Sequence, residues 1–237
     1  MDVSDEGGRD ILASYGRREW MVGGAVMLVG MAASLVWFIY AAPVFAAGLL
    51  FLIYFFRDPS RAISGKDNEL LAPADGRVLA VEEVQGAAYL SEPSVRITIF
   101  LSLFDCHINR APCAGRVEYL NYRKGRFHPA WQRAASSENE RNAVGIGSAG
   151  RFDRVLVRQV AGIVARRIVC QPEMGDPVTR GQKIGMIKFG SRTELLVPKR
   201  TGFRPCVSPG DRVKAGVSVV GEIPPAGPAE DPAEGPH

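Results

Sequence analysis

Histidine is almost missing from this 237-residue chain, which holds only His107, His128 and His237. The last lies in a Pro/Gly/Ala/Glu tail, so imidazole chemistry rests on His107 or His128. Cysteine is also scarce. Cys106, Cys113, Cys170 and Cys206 show no C-x-x-C spacing, which argues against a zinc site and for reduced structural thiols. Net charge is only +4, from 29 basic and 25 acidic residues, and no dense Lys/Arg stripe interleaves with aromatics. That balance suits an anionic membrane surface better than a nucleic-acid partner, and none of the latter is expected. The longest absence is of charge itself, with none from Trp20 to Phe56.

That uncharged run far exceeds the roughly 20 residues one helix needs to cross a bilayer core. Ala41-Ala42-Pro43 interrupts it. Met21 to Tyr40 is long enough for one span, and Val44 to Phe56 makes a short or tilted return. Arg17 and Arg18 precede the run, and Arg57 and Arg61 follow it. Positive charge at both ends places both on the cytoplasmic side, which a hairpin permits. The reading is a transmembrane or membrane-inserted helical hairpin over residues 17–60, after a flexible N-terminus of residues 1–16. One span with a juxtamembrane apolar extension is the alternative. Asp2, Asp5, Glu6 and Asp10 and the length of the run count against a cleaved signal peptide.

Residues 61–223 change to short β-rich runs, among them Arg77–Val81, Val95–Leu101, Arg154–Val160 and Arg167–Cys170. A few helical turns fit near Trp131–Ala135. Residues 224–237 read as a disordered tail. Gly175-Asp176-Pro177-Val178-Thr179-Arg180-Gly181, followed by Ile184 to Ile187, recurs as Gly210-Asp211-Arg212-Val213-Lys214-Ala215-Gly216, followed by Val219 to Ile223. Gly-Asp supplies a turn and the later glycine a second reversal. The pattern resembles the units of biotinyl/lipoyl-like barrel-sandwich folds, without the Met-Lys-Met of a swinging-arm carrier. Two similar turns arising from shared turn chemistry are the alternative to a true repeat. The expected fold class is mainly β and barrel-sandwich-like, with the N-terminal hairpin attached.

Chemistry points to the end of one strand. Gly181 to Ile187 reads as a turn and an alternating strand, followed by Lys188-Phe189-Gly190-Ser191-Arg192-Thr193. A Gly-Ser bond there can be held in strained geometry. The Ser191 hydroxyl then attacks the Gly190 carbonyl, converting amide to ester. β-Elimination cuts the chain, and hydrolysis of the resulting dehydroalanine leaves an N-terminal pyruvoyl group. A lone Gly-Ser is more often an ordinary turn. Three other segments bear on the choice: Asp75 in Pro73-Ala74-Asp75-Gly76, His107 after an apolar strand, and a basic loop with Arg123, Lys124, Arg126 and His128. Beside a membrane, that loop can hold anionic headgroups.

Six motifs occur in order: Phe55-Phe56-Arg57-Asp58-Pro59, Pro73-Ala74-Asp75-Gly76, His107-Ile108-Asn109-Arg110-Ala111-Pro112, Gly125-Arg126-Phe127-His128-Pro129-Ala130, Glu138-Asn139-Glu140-Arg141-Asn142 and Phe189-Gly190-Ser191-Arg192. Together they closely resemble the short, pyruvoyl-dependent phosphatidylserine decarboxylases. The resemblance implies a cut between Gly190 and Ser191, with a large chain 1–190 paired with a small chain 191–237. Its cofactor is pyruvate, as a pyruvoyl group made from Ser191. That group forms a Schiff base with phosphatidylserine in the membrane and releases CO2 to give phosphatidylethanolamine, without metal. The implied catalytic residues are Ser191, His107 and Asp75, with His107 as base oriented by Asp75. Longer bacterial members carry a second histidine where this chain has Arg110, so His128 stands as the other imidazole candidate. Arg110, Arg123, Lys124, Arg126 and His128 are the candidate headgroup contacts. The implied location is the cell membrane, with the catalytic domain on the cytoplasmic face. Deletion of residues 1–56 is expected to spare self-cleavage and weaken turnover of bilayer lipid. A membrane-anchored, non-enzymatic barrel-sandwich adaptor is the competing reading.

Overall fold

A computed structural model describes residues 12–86, 89–132, 134–148, 152–163, 167–188 and 191–224. The expected flexible start, for residues 1–11, and the expected disordered tail, for residues 225–237, lie outside the described residues.

The chain opens with a helical hairpin. Helix α1 (Arg17–Trp37) has 21 residues and α2 (Ala42–Phe55) has 14, or about 31 and 21 Å of rise. A 3-10 turn at Ile39–Ala41 joins them, and a proline in the first turn of α2 fits where no backbone donor is required. Small residues let the helices approach closely. A Cβ on Gly30 would collide with the Phe45 ring, and one on Gly48 would sit 2.9 Å from the Met27 sulfur. Outward side chains are apolar and bare, including Val29, Val36, Val44 and Leu50. The segment Ser14–Val36 is long and apolar enough to cross a membrane. At the base of the hairpin the chain closes on itself, where Ala13 donates to the Phe56 carbonyl at 2.7 Å and Leu12 bridges Arg57.

The rest is mainly β. Its strands are β1 (Glu69–Leu71), β2 (Gly76–Val84), β3 (Ser94–Leu101), β4 (Ile108–Arg110), β5 (Gly115–Arg123), β6 (Arg141–Gly147), β7 (Arg154–Ala161), β8 (Arg167–Cys170), β9 (Pro177–Val178), β10 (Lys183–Lys188), β11 (Ser191–Pro198), β12 (Arg204–Pro205), β13 (Arg212–Val213) and β14 (Val219–Glu222). A single helical turn, α3 (Ala135–Glu138), lies just beyond the expected Trp131–Ala135. The large antiparallel sheet runs β13-β2-β3-β11-β7-β6-β5-β9, and two three-stranded sheets run β4-β10-β8 and β1-β14-β12. Strand alternation builds the core. Ile97, Ile99 and Leu101 of β3 meet Leu195 and Val197 of β11 and Val155 and Val157 of β7, all buried.

The 35-residue repeat is a real structural equivalence. Gly175 and Gly210 both turn with positive φ, 89° and 106°. Their amides donate to the carbonyls of Val117 and Val78, and the amides of these valines donate to the carbonyls of Asp176 and Asp211. The receiving segments match as well: Ala72-Pro73-Ala74-Asp75-Gly76-Arg77-Val78 corresponds to Ala111-Pro112-Cys113-Ala114-Gly115-Arg116-Val117. Each has a bulge just after its valine. Two similar halves therefore hold each other across the molecule. At the fourth position of the receiving segment they differ, with Asp75 in one and Ala114 in the other.

Candidate active site

Several strand ends converge where the large sheet meets the sheet β4-β10-β8. Ser191 opens β11, paired with Leu101 at the end of β3 and Ala161 at the end of β7. Strand β10 ends at Lys188 in the other sheet, and β11 begins at Ser191 in the large one. The residues between them, Phe189 and the candidate cleavage residue Gly190, lie outside the described residues. Ser191 is fully buried, and among the described residues its Oγ has no hydrogen-bond partner. An unsatisfied buried hydroxyl costs about 1–3 kcal/mol.

His107 immediately precedes β4, with its carbonyl accepting from the Ile187 amide at 3.3 Å. Its Nδ1 lies 2.9 Å from the Asp105 carbonyl. A carbonyl only accepts, so Nδ1 carries the proton and Nε2 keeps its lone pair. The ring is wholly buried, and the Phe55 ring stands 4.4 Å away centroid to centroid. Burial pushes the imidazole from its ordinary 6.5 down to about 4, against the opposing pull of Asp105.

Buried amides link this histidine strand to the serine strand. Asn109 donates to Thr193 Oγ1 at 2.9 Å and accepts from Gln159 Nε2 at 2.9 Å, while Asn142 donates to Gln159 Oε1 at 3.0 Å. His107 and Asn109 share a face by strand alternation, as do Ser191 and Thr193. The Asn109–Thr193 contact, with Ile187 beside His107, brings the His107 end of β4 to the Ser191 end of β11.

Asp75 occupies the same end of the large sheet. It lies two residues before Arg77, which pairs with Phe100 of β3. Strand β3 separates it from β11, about 10 Å at ordinary strand spacing. Its Oδ2 accepts from Arg61 at 2.6 Å and its Oδ1 from the Ala215 amide at 2.7 Å. Both oxygens are thus engaged, and Asp75 makes no hydrogen bond to His107 among the described residues. In place of the expected Asp75 contact, the described residues show the Asp105 carbonyl against the imidazole.

The predicted basic group divides. Arg123, Lys124 and Arg126 are exposed. His128 Nε2 lies 3.0 Å from Glu138, with Arg126 at 3.5 Å from the same oxygen. Asn139 pins this loop, accepting from the His128 amide at 2.8 Å and donating to the carbonyls of His128 and Ala161. Because Ala161 is the ladder partner of Ser191, the loop hangs beside the serine. Arg110 is elsewhere, buried, donating to the Gly181 carbonyl at 2.8 Å and facing Asp58 at 3.8 Å. Its donors serve the interior, because the repeat junction at Gly181 needs them.

Other residues at the site escaped sequence reasoning. On the face of β11 opposite Ser191 and Thr193, buried Glu194 pairs with Arg158 at 3.1 Å and Arg192 at 3.0 Å, and Arg192 also donates to the Ala130 and Gln132 carbonyls. Lys188 pairs with Glu19 of α1 at 2.7 Å. Strand parity in Ser191-Arg192-Thr193-Glu194 foretells the separation of hydroxyls from charges. Nothing local signals the contacts with Phe55 or Glu19, which come from the hairpin. Among the described residues, no cluster of three or more His, Cys, Asp or Glu could hold a metal.

Comparison with known proteins agrees with this arrangement. The family model for phosphatidylserine decarboxylase matches residues 49–221. The chain is 49% identical over 174 residues to the phosphatidylserine decarboxylase proenzyme of Carboxydothermus hydrogenoformans, covering 73% of this chain and 80% of that protein. It is 43% identical over 216 residues to the proenzyme of Symbiobacterium thermophilum, covering 91% and 97%. With the Cupriavidus pinatubonensis proenzyme the identity is 45% over 174 residues, or 73% and 79% of the two chains. With the serine, the imidazole and the carboxylate at one end of the fold, and the matches extending through all of them, the chain belongs to the phosphatidylserine decarboxylase family.

Proposed function

We propose that this chain decarboxylates phosphatidylserine after converting Ser191 into a pyruvoyl group. The observation that carries the residue assignment is the buried Ser191 Oγ, without a hydrogen-bond partner among the described residues, at the junction reached by the Nδ1-protonated His107. The His107 imidazole is neutral at neutral pH, because burial holds it at about 4, so it can act as a base. It removes the Ser191 proton as the oxygen adds to the Gly190 carbonyl carbon, and the departing nitrogen recovers a proton. Elimination then removes the Cα proton of residue 191 to a base and breaks the Cβ–Oγ bond, leaving a carboxylate on Gly190. Water replaces the enamine nitrogen, releasing ammonia.

The residues fit a pyruvoyl group. Its oxygen-bearing carbon occupies the position of a serine already enclosed, and the β3 and β7 ladders hold the strand on both sides. Once formed, the group supplies a carbonyl that takes the substrate amine and accepts electrons as CO2 leaves. Asp75 fixes Arg61 and the Ala215 turn at the same sheet end. Arg123, Lys124 and Arg126 present positive charge to headgroup phosphates. The chain 1–190 and the chain 191–237 stay together as one enzyme, on a barrel-sandwich-like frame of two paired repeats. The hairpin enters the membrane and holds the domain on its cytoplasmic face; the apolar length of Ser14–Val36 supports this.

The test is intact mass. Wild-type protein should give two chains split between Gly190 and Ser191, with the smaller one blocked to N-terminal sequencing. Ser191→Ala should give one uncut chain of 25.7 kDa without CO2 release. One intact chain in an active wild-type preparation would refute the assignment.

A further inference from the structure

We infer that Glu19 and Lys188 are positioning residues for the reaction at Ser191, through which the first turn of the hairpin holds the strand that delivers the scissile bond. The inference rests on reading Gly190–Ser191 as that bond.

Lys188 is the last residue of β10, and its side chain is almost wholly buried, with 6% exposed. Its ammonium meets Glu19 Oε1 at 2.7 Å. Opposite Lys188 in the ladder stands Arg167 of β8, so the carboxylate also offsets a like-charge neighbour. A buried ammonium robbed of its partner must shed its proton or move toward water. Either would displace the end of β10. From Lys188 the chain reaches Ser191 in three residues, at most about 11 Å. Lys188 is thus the nearest described residue before the scissile bond, and a shift there is close enough to act on it.

The same hairpin touches the other reacting partner. Its return helix lays Phe55 on His107, and Phe55, Phe56 and Ala13 cluster with Cys106, Ile108 and Met186. One element thus braces the end of β10 through Glu19 and the imidazole through Phe55. Glu19 is also the last charged residue before the apolar run. With the hairpin in a bilayer, its carboxylate marks the boundary where charge stops. The clamp therefore fixes Ser191 near headgroup depth, where an amino-bearing lipid headgroup resides.

The experiment uses the full chain, synthesised in the presence of phosphatidylcholine vesicles and sampled over time for the 47-residue fragment (residues 191–237). Wild type is compared with Glu19→Gln, Lys188→Met and the exchange Glu19→Lys with Lys188→Glu, and each thermal midpoint is measured. Each single variant should cleave at least about tenfold more slowly, a barrier change of about 1.4 kcal/mol. The exchange should recover most of the rate, and the rate losses should not follow the midpoints. Wild-type rates in the single variants would overturn the inference. So would an exchange no faster than either single variant, or rates that simply track thermal stability. Absence of the fragment from wild type, with an unchanged mass in Ser191→Ala, would overturn the cleavage reading itself and the clamp with it.

Discussion

Replacing Phe55 with alanine should make maturation sensitive to mild acid. His107 is buried beneath that ring and sits at about 4 rather than 6.5. Removing the ring admits water and returns the imidazole toward 6.5. At pH 6 a group at 4 is about 1% protonated, whereas one at 6.5 is about three-quarters protonated. The base form would fall about fourfold at pH 6 and hardly change at pH 8. The depressed value also bears on folding. Above pH 6.5 the group is neutral in both folded and unfolded chains, and no stability is lost. As pH falls from 6.5 through 4 the unfolded chain takes a proton that the fold refuses, costing up to about 3 kcal/mol. Phe55→Ala should relieve that acid penalty while losing about 3–5 kcal/mol of packing. The assay is the rate of fragment appearance between pH 5 and 8, with thermal midpoints alongside. Phe55→Leu, which keeps an apolar cover, should retain most of the wild-type profile. Identical profiles for wild type and Phe55→Ala, or a wild-type midpoint near 6.5, would refute the claim that the ring shields a neutral base.

Deletion of residues 1–56 should impair self-cleavage as well as turnover, because it removes both Phe55 and the partner of Lys188; normal maturation of the truncated chain would restore the simpler expectation drawn from sequence. Asp75→Asn should slow cleavage by 10- to 100-fold, judged by time-resolved gels, since it weakens the Arg61 pair at the site; an unchanged rate would make Asp75 purely structural. Arg123→Gln with Lys124→Gln should weaken sedimentation with anionic vesicles by about 1 kcal/mol per charge, an effect lost at high salt. Equal binding of wild type and the double variant at low salt would show that this loop faces away from the lipid.

Local pattern foretells much of this fold. Alternating runs mark β2, β3, β7 and β10, and the Gly-Asp repeat marks two equivalent turns. The matching receiving segments, Ala72–Val78 and Ala111–Val117, are equally present in the sequence but pass unnoticed when each is treated as a separate motif. At the site, Ser191, His107 and Asp75 stand out because their residue types carry chemistry in ordered motifs. Their actual partners do not. Asp105 acts through its backbone carbonyl, which any residue could offer. Phe55 lies 52 positions before His107, and Glu19 lies 169 before Lys188, so no local periodicity connects them. Arg110 looks like a surface cation until the Gly181 junction closes around it.

Ser191 opens a strand that lies between β3 and β7, near the middle of the large sheet. The proposed cut falls at the passage between sheets, so β10 keeps β4 and β8 while β11 keeps both its neighbours. Before the cut, unfolding and refolding involve one continuous chain. After it, the smaller piece must find a slot inside a sheet built by the larger, and the pyruvoyl end cannot be remade if the pieces part. Maturation exchanges a folding equilibrium for a lifetime. The working enzyme persists for as long as β11 stays seated, and the rate of its first full opening, rather than any balance with the unfolded state, decides when activity ends.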